Sequence, residues 1–574
     1  MPIRTSGLAA RTRRLLVIAA VLALAAAGFG VHRAIGGAGR DGDADGGAAA
    51  PAAARGPRTG DRIIPAPLSV AAGSGPAFRI SERTVVRVGA AGGSGGAEEQ
   101  AVRVRAVAEQ LAEALRRPTG FPLTVEAGAG AAPAGAAEGI RLELDPAMPE
   151  ETGDEGYRLT ADSAAVRIAA RTPAGLYRGT QTLRQLLPPQ VESRSRVTDG
   201  TDWTVASVDI DDHPRYAYRG AMLDVARHFF TPDEVKGYID RLALYKVNHL
   251  HLHLTDDQGW RIAVPARPAL TEIGASSEVG GTPGGFYTAA DYQEIVRYAQ
   301  ERFLTVVPEI DLPGHSNAVL ASYPELDCTR SARPWPYTGI EVGFSTVCPT
   351  GDAVFAFTGD VVAELARLTP GPYLHIGGDE VKKLAPADYQ EFVRRVSAQV
   401  VAAGKIPVGW NQTAAAAGPG GVGLLQYWDA NGGHEQEVRE AAGRGAKVIM
   451  SPAGRTYLDM KYDSSYPLGL RWAGTVDVWS AYSWDPDTLN AALPAGSVVG
   501  VEAPLWTETL SSPAELDLML LPRLPAIAEL GWSPKTAHDW ERFRQRLAEE
   551  GARWEAAGFG YEKRSEVPWP VTAR

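Results

Sequence analysis

The chain has 574 residues, which is long enough for more than one hydrophobic core, and its formal net charge is −11 with 22% charged and 45% hydrophobic residues. This composition is ordinary for a soluble globular protein. The negative charge argues against nucleic acid or an anionic membrane surface as the main partner, but it does not restrict a neutral ligand.

The N-terminal segment, residues 1–31, predicts export. Several arginines precede an apolar run from residue 15 to about residue 30, and small residues at 25–27 suit a cleavage site. The run is near the lower length limit for a membrane span, so a signal peptide and an uncleaved anchor both stay open. The predicted location is extracellular, with membrane attachment only if the segment is retained. Residues 32–60 have almost no large apolar side chain and predict a disordered linker.

Residues 61–213 predict a small α+β domain. Apolar residues with helical spacing from Val102 to Leu115 indicate a helix over 97–117, and a second helical stretch covers 173–187. Strand-like runs lie between them, at 140–144 and 166–169. No pattern in this region indicates catalysis.

From residue 214 to 574 short apolar strands alternate with amphipathic helices, which is typical of repeated βα units. Thr231 followed by Pro232 marks one helix start as a cap residue with proline at the first helical position. Eight strands predict a (β/α)8 TIM barrel, so the fold class is α/β with a small α+β domain before the barrel. The predicted strands are 218–225, 247–254, 304–310, 373–376, 406–409, 423–427, 447–450 and 498–501.

Carboxylates and aromatic rings follow the ends of these strands, where a barrel carries its functional residues. Carboxylates accept hydroxyl hydrogens and flat rings cover C–H faces, so this combination suits a sugar. An Asp-Glu pair at a helix start is often only a cap, and a single Trp is usually core. The glycines before Asp379, however, permit a tight turn that presents two carboxyls at the barrel mouth. In chain order the residues are Asp224, Arg227, Asp256, Asp257, Glu309, Asp311, His315, Asp379, Glu380, Trp410, Trp428, Tyr457, Asp459, Trp506 and Glu508.

Alternating histidines offer a rival interpretation. His249, His251 and His253 share one face of a strand, and two histidines at this spacing are a known metal-ligand geometry. A metal-dependent amidohydrolase or deacetylase on the same barrel is therefore an alternative. Its further ligands are hard to assemble, because few histidines follow and two later strands end in tryptophan. We predict no metal site.

Four motifs make the chain resemble the β-N-acetylhexosaminidases of glycoside hydrolase family 20 over roughly residues 61–574. They lie at 219–229, 251–261, 308–315 and 375–380, the last reading His-Ile-Gly-Gly-Asp-Glu. The region before the barrel resembles the N-terminal companion domain of that family. The resemblance implies a retaining exo-hydrolase that removes terminal GlcNAc or GalNAc, with the substrate's own acetamide as nucleophile and an oxazolinium intermediate. It implies no cofactor.

The resemblance also implies roles for individual residues. Glu380 is the expected general acid and base, and Asp379 is expected to orient the acetamide. Two carboxyls this close titrate as a coupled pair, so one is expected to keep its proton as the acid. The expected substrate-binding residues are Arg227, Asp256, His315, Trp410, Trp428, Tyr457, Asp459, Trp472, Trp506 and Glu508. The expected partners are oligosaccharides ending in N-acetyl-amino sugars, such as chitin oligosaccharides, and not nucleic acid. A non-catalytic sugar-binding protein is the second alternative.

Two local features complete the prediction. Cys328 and Cys348 are the only cysteines, and an even pair in an exported chain predicts a disulfide, with two free thiols as the alternative. Trp410 is followed by Asn411 and Gln412, whereas many members of the family have an acidic residue at the second position.

Overall fold

The computed structural model of the chain describes residues 59–89, 97–128, 139–328, 335–418, 420–429, 433–490 and 493–570. The predicted signal peptide or anchor lies outside these residues, as does the predicted linker except for its last two positions. Within the described ranges no helix is both long enough and apolar enough to cross a bilayer.

The first domain is a seven-stranded sheet with two helices packed against it, in the strand order β1-β9-β6-β7-β5-β3-β4. Helix α1 buries Val104, Val107, Leu111 and Leu115, whereas Val102, which we predicted on the same face, is 64% exposed. The strands of this sheet are β1 (Ser69–Ala72), β3 (Val85–Gly89), β4 (Val125–Gly128), β5 (Gly139–Leu144), β6 (Tyr157–Ala161), β7 (Ala165–Ala170) and β9 (Val208–Asp212), and the helices are α1 (Ala97–Thr119) and α2 (Pro173–Leu186). Strands β2 (Phe78–Arg79) and β8 (Thr204–Val205) pair with each other in a separate antiparallel sheet.

The second domain is a closed barrel of eight parallel strands, which confirms the predicted (β/α)8 fold. Every predicted barrel strand overlaps an observed one. The last strand runs on to Leu505, four residues past its predicted end, because the Glu502 carboxylate is buried inside the barrel as an acceptor for Tyr218 and Gln426. The barrel strands are β10 (Tyr218–Asp224), β11 (His249–His253), β14 (Thr305–Glu309), β15 (Tyr373–His375), β16 (Ile406–Trp410), β17 (Leu424–Tyr427), β18 (Lys447–Met450) and β19 (Val498–Leu505), and a small hairpin of β12 (Thr255–Asp256) and β13 (Gly259–Trp260) follows β11.

Helices connect the barrel strands, and several have the caps that the sequence indicates. Thr231 and Glu234 form a capping box at the start of α3, and Thr288 and Asp291 form another at α5. The helices are α3 (Pro232–Leu244), α4 (Ala269–Glu272), α5 (Ala289–Gln300), α6 (Asn317–Ser322), α7 (Asp352–Leu368), α8 (Pro386–Ala402), α9 (Glu435–Gly443), α10 (Ala453–Thr456), α11 (Val478–Tyr482), α12 (Pro513–Leu520), α13 (Arg523–Trp532) and α14 (Trp540–Ala557).

A largely buried carboxylate of the first domain, Glu155, contacts the N-terminal end of the barrel. Its Oε2 lies 2.8 Å from Arg178 Nε and 2.5 Å from Arg219 of β10, and its Oε1 accepts from Asn248 at 2.6 Å. Burial alone would raise the pKa of Glu155, but the two guanidinium groups lower it to about 2. The carboxylate is therefore ionised at neutral pH and joins the two domains.

We expect Glu155→Gln to lower the free energy of unfolding by about 3 kcal/mol at pH 7, because two buried guanidinium groups lose their counter-charge. The ionised Glu155 stabilises the fold fully above the unfolded-state pKa of about 4.3, and this stabilisation is lost as the pH falls toward the folded-state pKa. The difference between variant and wild type should therefore narrow below about pH 4. Urea unfolding of the variant and the wild type at several pH values measures this difference in the free energy of unfolding. Glu126→Gln, which removes an exposed pair with Arg87, is the control, and an equal loss in both variants would contradict the assignment.

Candidate active site

A cavity of about 440 Å³ opens at the C-terminal ends of the barrel strands. This is within the usual size range of small-molecule sites. Acidic residues lie on its floor, and aromatic rings form its walls. It is lined by Arg227, Asp311, His315, Ile340, Val342, Asp379, Glu380, Trp428, Asp429, Tyr457, Leu470, Trp472, Trp506 and Glu508.

The turn after β15 presents Asp379 and Glu380 to this cavity. Gly377 and Gly378 both have positive φ, at 69° and 98°. A Cβ at Gly377 would lie 1.8 Å from Asp311 Oδ1, so only glycine allows this approach. The Gly378 N–H donates to the same Asp311 oxygen at 2.9 Å, and Tyr389 Oη donates to the Gly378 carbonyl at 2.6 Å. The turn is thus held from both sides.

Two non-glycine residues of the site have left-handed backbones. The φ angle is 47° at His315 and 51° at Glu380. Such conformations cost energy in residues with a Cβ and cluster at functional positions. They bring His315 Nε2 to 3.5 Å from Glu380 Oε2 and 3.8 Å from Asp379 Oδ2.

The two neighbouring carboxyls have opposite pKa shifts. Burial, together with the charge of Glu380, raises the pKa of Asp379, and Asp311 lies within hydrogen-bonding reach of it. Burial also acts to raise the pKa of Glu380, but His315 outweighs it and the net shift is downward. His315 is itself held as a cation, because Asp256, Asp379 and Asp311 overcome its burial and raise its pKa well above the ordinary value. In the unliganded site the directions of these two pKa shifts favour a proton on Asp379 over one on Glu380, which is the reverse of what proton donation by Glu380 needs.

Aromatic rings enclose the cavity. The ring centroids of Trp410 and Trp506 are 5.9 Å apart, and those of Tyr457 and Trp506 are 6.2 Å apart. Trp472 packs edge-on against Trp428, with the centroids 5.7 Å apart. Trp472 is 51% exposed and stands at the rim, whereas Trp410 is buried. Trp410 Nε1 has no hydrogen-bond partner within the described part of the chain. These rings provide flat apolar surface next to the acidic floor.

A second cluster of acidic residues surrounds Arg227. The guanidinium contacts Asp256 at 2.7 Å and Asp224 at 3.3 Å, and it lies 4.9 Å over the Trp506 ring. Burial raises the pKa of Glu508, and the nearby Asp224 adds to the rise. Burial likewise raises the pKa of Asp459, and Glu508 adds to it. Hydrogen-bond donors on a ligand would favour the ionised forms of both acids.

The structure brings the predicted site residues to this one mouth. Asp256, Trp410 and Asp459 do not line the cavity, but they contact or flank residues that do. The sequence analysis placed Asp311 at the barrel mouth but gave it no catalytic or binding role. It also missed Ile340, Val342, Asp429 and Leu470, which lie in loops without periodicity.

The three histidines of β11 do not converge on one point. His249 stacks on Tyr218 at 3.9 Å and hydrogen-bonds Asn248, whereas His251 and His253 have both ring nitrogens at carboxylates. His251, Glu309 and His375 place possible ligand atoms within 4.8 Å of one another. Those atoms are already paired with each other, at 3.0 Å and 2.9 Å.

The two cysteines are free thiols in the structure, Cys328 exposed and Cys348 buried. Burial, together with a hydrogen bond to Cys328, raises the pKa of Cys348 to about 12. The thiols are therefore neighbours but not joined, and the disulfide stays a prediction.

Family models match both regions of the chain. "Glycosyl hydrolase family 20, catalytic domain" matches residues 216–535, and "Glycosyl hydrolase family 20, domain 2" matches residues 61–213. The chain belongs to glycoside hydrolase family 20. It is 44% identical to a β-N-acetylhexosaminidase of Cellulomonas fimi, covering 88% of this chain and 97% of that one. An N,N′-diacetylchitobiase of Vibrio harveyi is 26% identical, covering 67% of this chain and 55% of that one.

Solved structures of family 20 are similar as well. A mutant Streptomyces plicatus β-hexosaminidase in complex with its product GlcNAc has a TM-score of 0.83 and 51% identity, covering 90% of this chain and 99% of that one. At 51% identity the similarity supports membership of the same family and not only a shared fold.

Gln412 lies at the position where the family resemblance led us to expect an acidic residue, and it has a defined contact. Its Oε1 accepts from the Trp428 indole N–H at 3.0 Å, and the adjacent Asn411 accepts from the Trp428 backbone N–H at 3.1 Å. An amide oxygen supplies the same acceptor as a carboxylate. The substitution therefore keeps the Trp428 ring in place without adding a charge.

We expect Gln412→Leu to raise KM by about 3- to 10-fold, because Trp428 loses one hydrogen bond that orients it. Gln412→Glu keeps the acceptor and should stay near the wild-type KM. Steady-state kinetics on an aryl N-acetyl-β-glucosaminide measure both. Equal KM increases in the two variants would show that the acceptor is not what orients the ring.

Proposed function

We propose that this chain is a retaining exo-β-N-acetylhexosaminidase, which removes terminal non-reducing GlcNAc or GalNAc residues with the help of the substrate's acetamide. The observation that carries the proposal is the Asp379-Glu380 pair, which opens into one aromatic-walled cavity at the barrel mouth. Membership of family 20 supports the same reaction.

The cavity has partners for each part of the sugar. Glu508 and Arg227 of the cavity lining face the hydroxyl groups, with Asp459 beside Glu508. The Trp428 and Trp506 rings enclose the acetamide methyl, with Trp410 packed behind Trp506, and Tyr457 donates to the acetamide carbonyl. Asp379 accepts the acetamide N–H. This fixes the amide oxygen next to C1, and an intramolecular nucleophile gains a large effective concentration.

In the first step the amide oxygen forms a bond to C1, and the bond from C1 to the glycosidic oxygen breaks. The electron pair stays on the leaving oxygen, which takes the proton of Glu380. The product is an oxazolinium ion stabilised by the Asp379 carboxylate. In the second step Glu380 takes a proton from water, the hydroxide oxygen bonds to C1, and the acetamide is released. Two inversions at C1 retain the β configuration.

Substrate binding changes where the proton of the pair resides. An N–H donor at Asp379 favours the carboxylate form of that residue. A sugar over Glu380 displaces water and so favours its protonated form. The proton shared by the pair thus shifts toward Glu380 when the substrate is in place, which reverses the distribution in the unliganded site.

Chitin oligosaccharides fit the rim as substrates. Ile340, Val342 and Trp472 present apolar surface outside the carboxylate pair, where a second sugar would lie. A C–H face of GlcNAc packs on such surface. The relationship to a chitobiase supports the same class.

We also infer export to the cell exterior, from the basic and apolar N-terminal segment. N-terminal sequencing of the mature protein distinguishes a removed signal peptide from a retained anchor. Export would place Cys328 and Cys348 in an oxidising compartment, where neighbouring thiols form a disulfide.

The wild-type protein should hydrolyse an aryl N-acetyl-β-glucosaminide at the same rate with and without EDTA. Proton NMR of the first turnover products should show the β anomer of GlcNAc. Loss of activity in EDTA would favour the metal-dependent amidohydrolase, and the α anomer would exclude the acetamide mechanism. The absence of turnover would favour the alternative of a non-catalytic sugar-binding protein.

We expect Asp379→Asn and Glu380→Gln each to lower kcat by about 10²- to 10⁴-fold. Removing the Asp379 charge also removes the repulsion that holds the upper pKa of the pair high. The residual activity of Asp379→Asn should therefore decline at a lower pH than that of the wild type. A pH profile of kcat measures this, and Asp388→Asn, on the surface of α8, is the control. If kcat of Asp379→Asn declined at the same pH as in the wild type, or at a higher pH, the coupling of the two carboxyls would be contradicted.

A further inference from the structure

A continuous row of histidines and carboxylates runs through the barrel interior below the active site. It begins at Glu502 of β19, whose Oε1 lies 2.8 Å from His251 Nδ1. His251 Nε2 lies 3.0 Å from Glu309 Oε2, and the same oxygen is hydrogen-bonded to His253 Nδ1. His253 Nε2 lies 2.9 Å from Asp256 Oδ2.

The row ends at the catalytic pair. Asp256 Oδ1 lies 3.2 Å from His315 Nδ1, and His315 Nε2 faces Glu380 Oε2 at 3.5 Å. Every side chain of this row up to His315 is buried. Other titratable or charged groups packed against the row are Tyr218, Asp224, Arg227, Asp257, Asp311, His375 and Asp379.

The geometry sets the protonation of the row. A neutral imidazole has one donor and one acceptor nitrogen, but both nitrogens of His251 and of His253 face carboxylate oxygens. The pKa values of Glu502, Glu309 and Asp256 are all lowered against the effect of burial, so these groups are acceptors and both rings donate twice and carry a positive charge. Burial alone would lower the pKa of His253, but Glu309 and Asp256 raise it to about 10. Burial would likewise lower that of His251, but Glu502 and Glu309 raise it to about 9.

We propose that His253 and Glu309 are positioning residues for proton donation by Glu380. Glu309 holds His253 doubly protonated, and His253 holds the Asp256 carboxylate in one orientation. Asp256 in turn fixes the His315 ring with Nε2 directed at Glu380. As Glu380 gives its proton to the leaving oxygen it becomes an anion, and the His315 cation beside it stabilises that charge. Neither His253 nor Glu309 lines the cavity, so both act through neighbouring residues. His253 also packs edge-on against the Trp506 ring, with the centroids 4.7 Å apart, and a disturbance of that wall would affect all N-acetyl substrates alike.

The proposal rests on the proposed function, and a comparison of leaving groups tests it. A 2,4-dinitrophenolate leaves without protonation, whereas the sugar leaving group of N,N′-diacetylchitobiose requires the proton of Glu380. His253→Gln and Glu309→Gln should lower kcat/KM on the disaccharide by on the order of 10- to 100-fold, as loss of an orienting partner does in other sites. On the dinitrophenyl N-acetyl-glucosaminide the loss should be under about 3-fold, because general acid catalysis is not needed there.

Glu380→Gln is the reference, because it removes the acid itself. Its loss of kcat/KM on the disaccharide should exceed its loss on the dinitrophenyl glycoside by a larger factor than in His253→Gln or Glu309→Gln. His249→Gln is the matched control, because His249 lies on the same strand and has no carboxylate of the row as partner. It should change both substrates by the same factor. Equal losses on both substrates in His253→Gln and Glu309→Gln would reduce these residues to a structural role and overturn the proposal.

A second measurement needs no variant. Neutron diffraction from crystals of the wild-type protein should show hydrogen on both ring nitrogens of His253. A singly protonated ring would overturn the proposal even if the variants fail to fold. Failure of the proposed function is distinguishable, since the wild type would then hydrolyse neither glycoside.

Discussion

Charge burial at the barrel mouth is the constraint on which the site depends. Asp224, Asp256, Glu309 and Asp311 are all almost completely removed from water at the C-terminal ends of three strands. A buried carboxylate without a partner would take up a proton or destabilise the fold. The chain supplies Arg227, His253 and His315 between them, and neighbouring cations lower the pKa of Asp256 and Glu309 against the effect of burial. Asp311 is the exception, because burial and the charge of Asp379 raise its pKa, and burial raises the pKa of Asp379 as well. Protonation is therefore favoured where these two carboxyls meet.

This arrangement divides the barrel interior into two layers. At the N-terminal end Tyr218, Val408, Leu424 and Ile449 form a small apolar cluster of the kind that fills other barrels. Above it the interior contains the histidine and carboxylate row instead of aliphatic side chains. Replacing buried ion pairs by packed apolar residues is often neutral or stabilising, so stability does not explain the charged layer. The charged layer is explained instead by its position directly below Asp379 and Glu380.

The sequence was sufficient to predict the fold and the location of the site, for identifiable reasons. Barrel strands that are buried on both faces read as short apolar runs, and the residues after them are the ones that meet at the mouth. Asp379 and Glu380 follow paired glycines and belong to a long motif, so the sequence singles them out, and both line the cavity. The end of β19 was missed, because Glu502 resembles a strand terminator unless its buried partners Tyr218 and His251 are known. Ile340 and Val342 were missed because loop residues have no periodicity that indicates which side faces the cavity.

The charge state of the catalytic pair was the least predictable feature, because it depends on a third residue from another strand end. Two adjacent carboxyls, considered alone, indicate only that one of them keeps a proton. Which one keeps it is decided by His315, whose left-handed backbone turns Nε2 toward Glu380, and by Asp311, which reaches Asp379 across a turn that only Gly377 permits. The distribution in the unliganded site is opposite to the one that proton donation needs. A ligand that donates an N–H to Asp379 and covers Glu380 reverses it, so an N-acetyl sugar itself completes the acid. A sugar without the acetamide would supply neither the nucleophile nor the hydrogen bond that moves the proton, and selectivity for N-acetyl sugars then follows from the electrostatics of the pair as well as from the shape of the cavity.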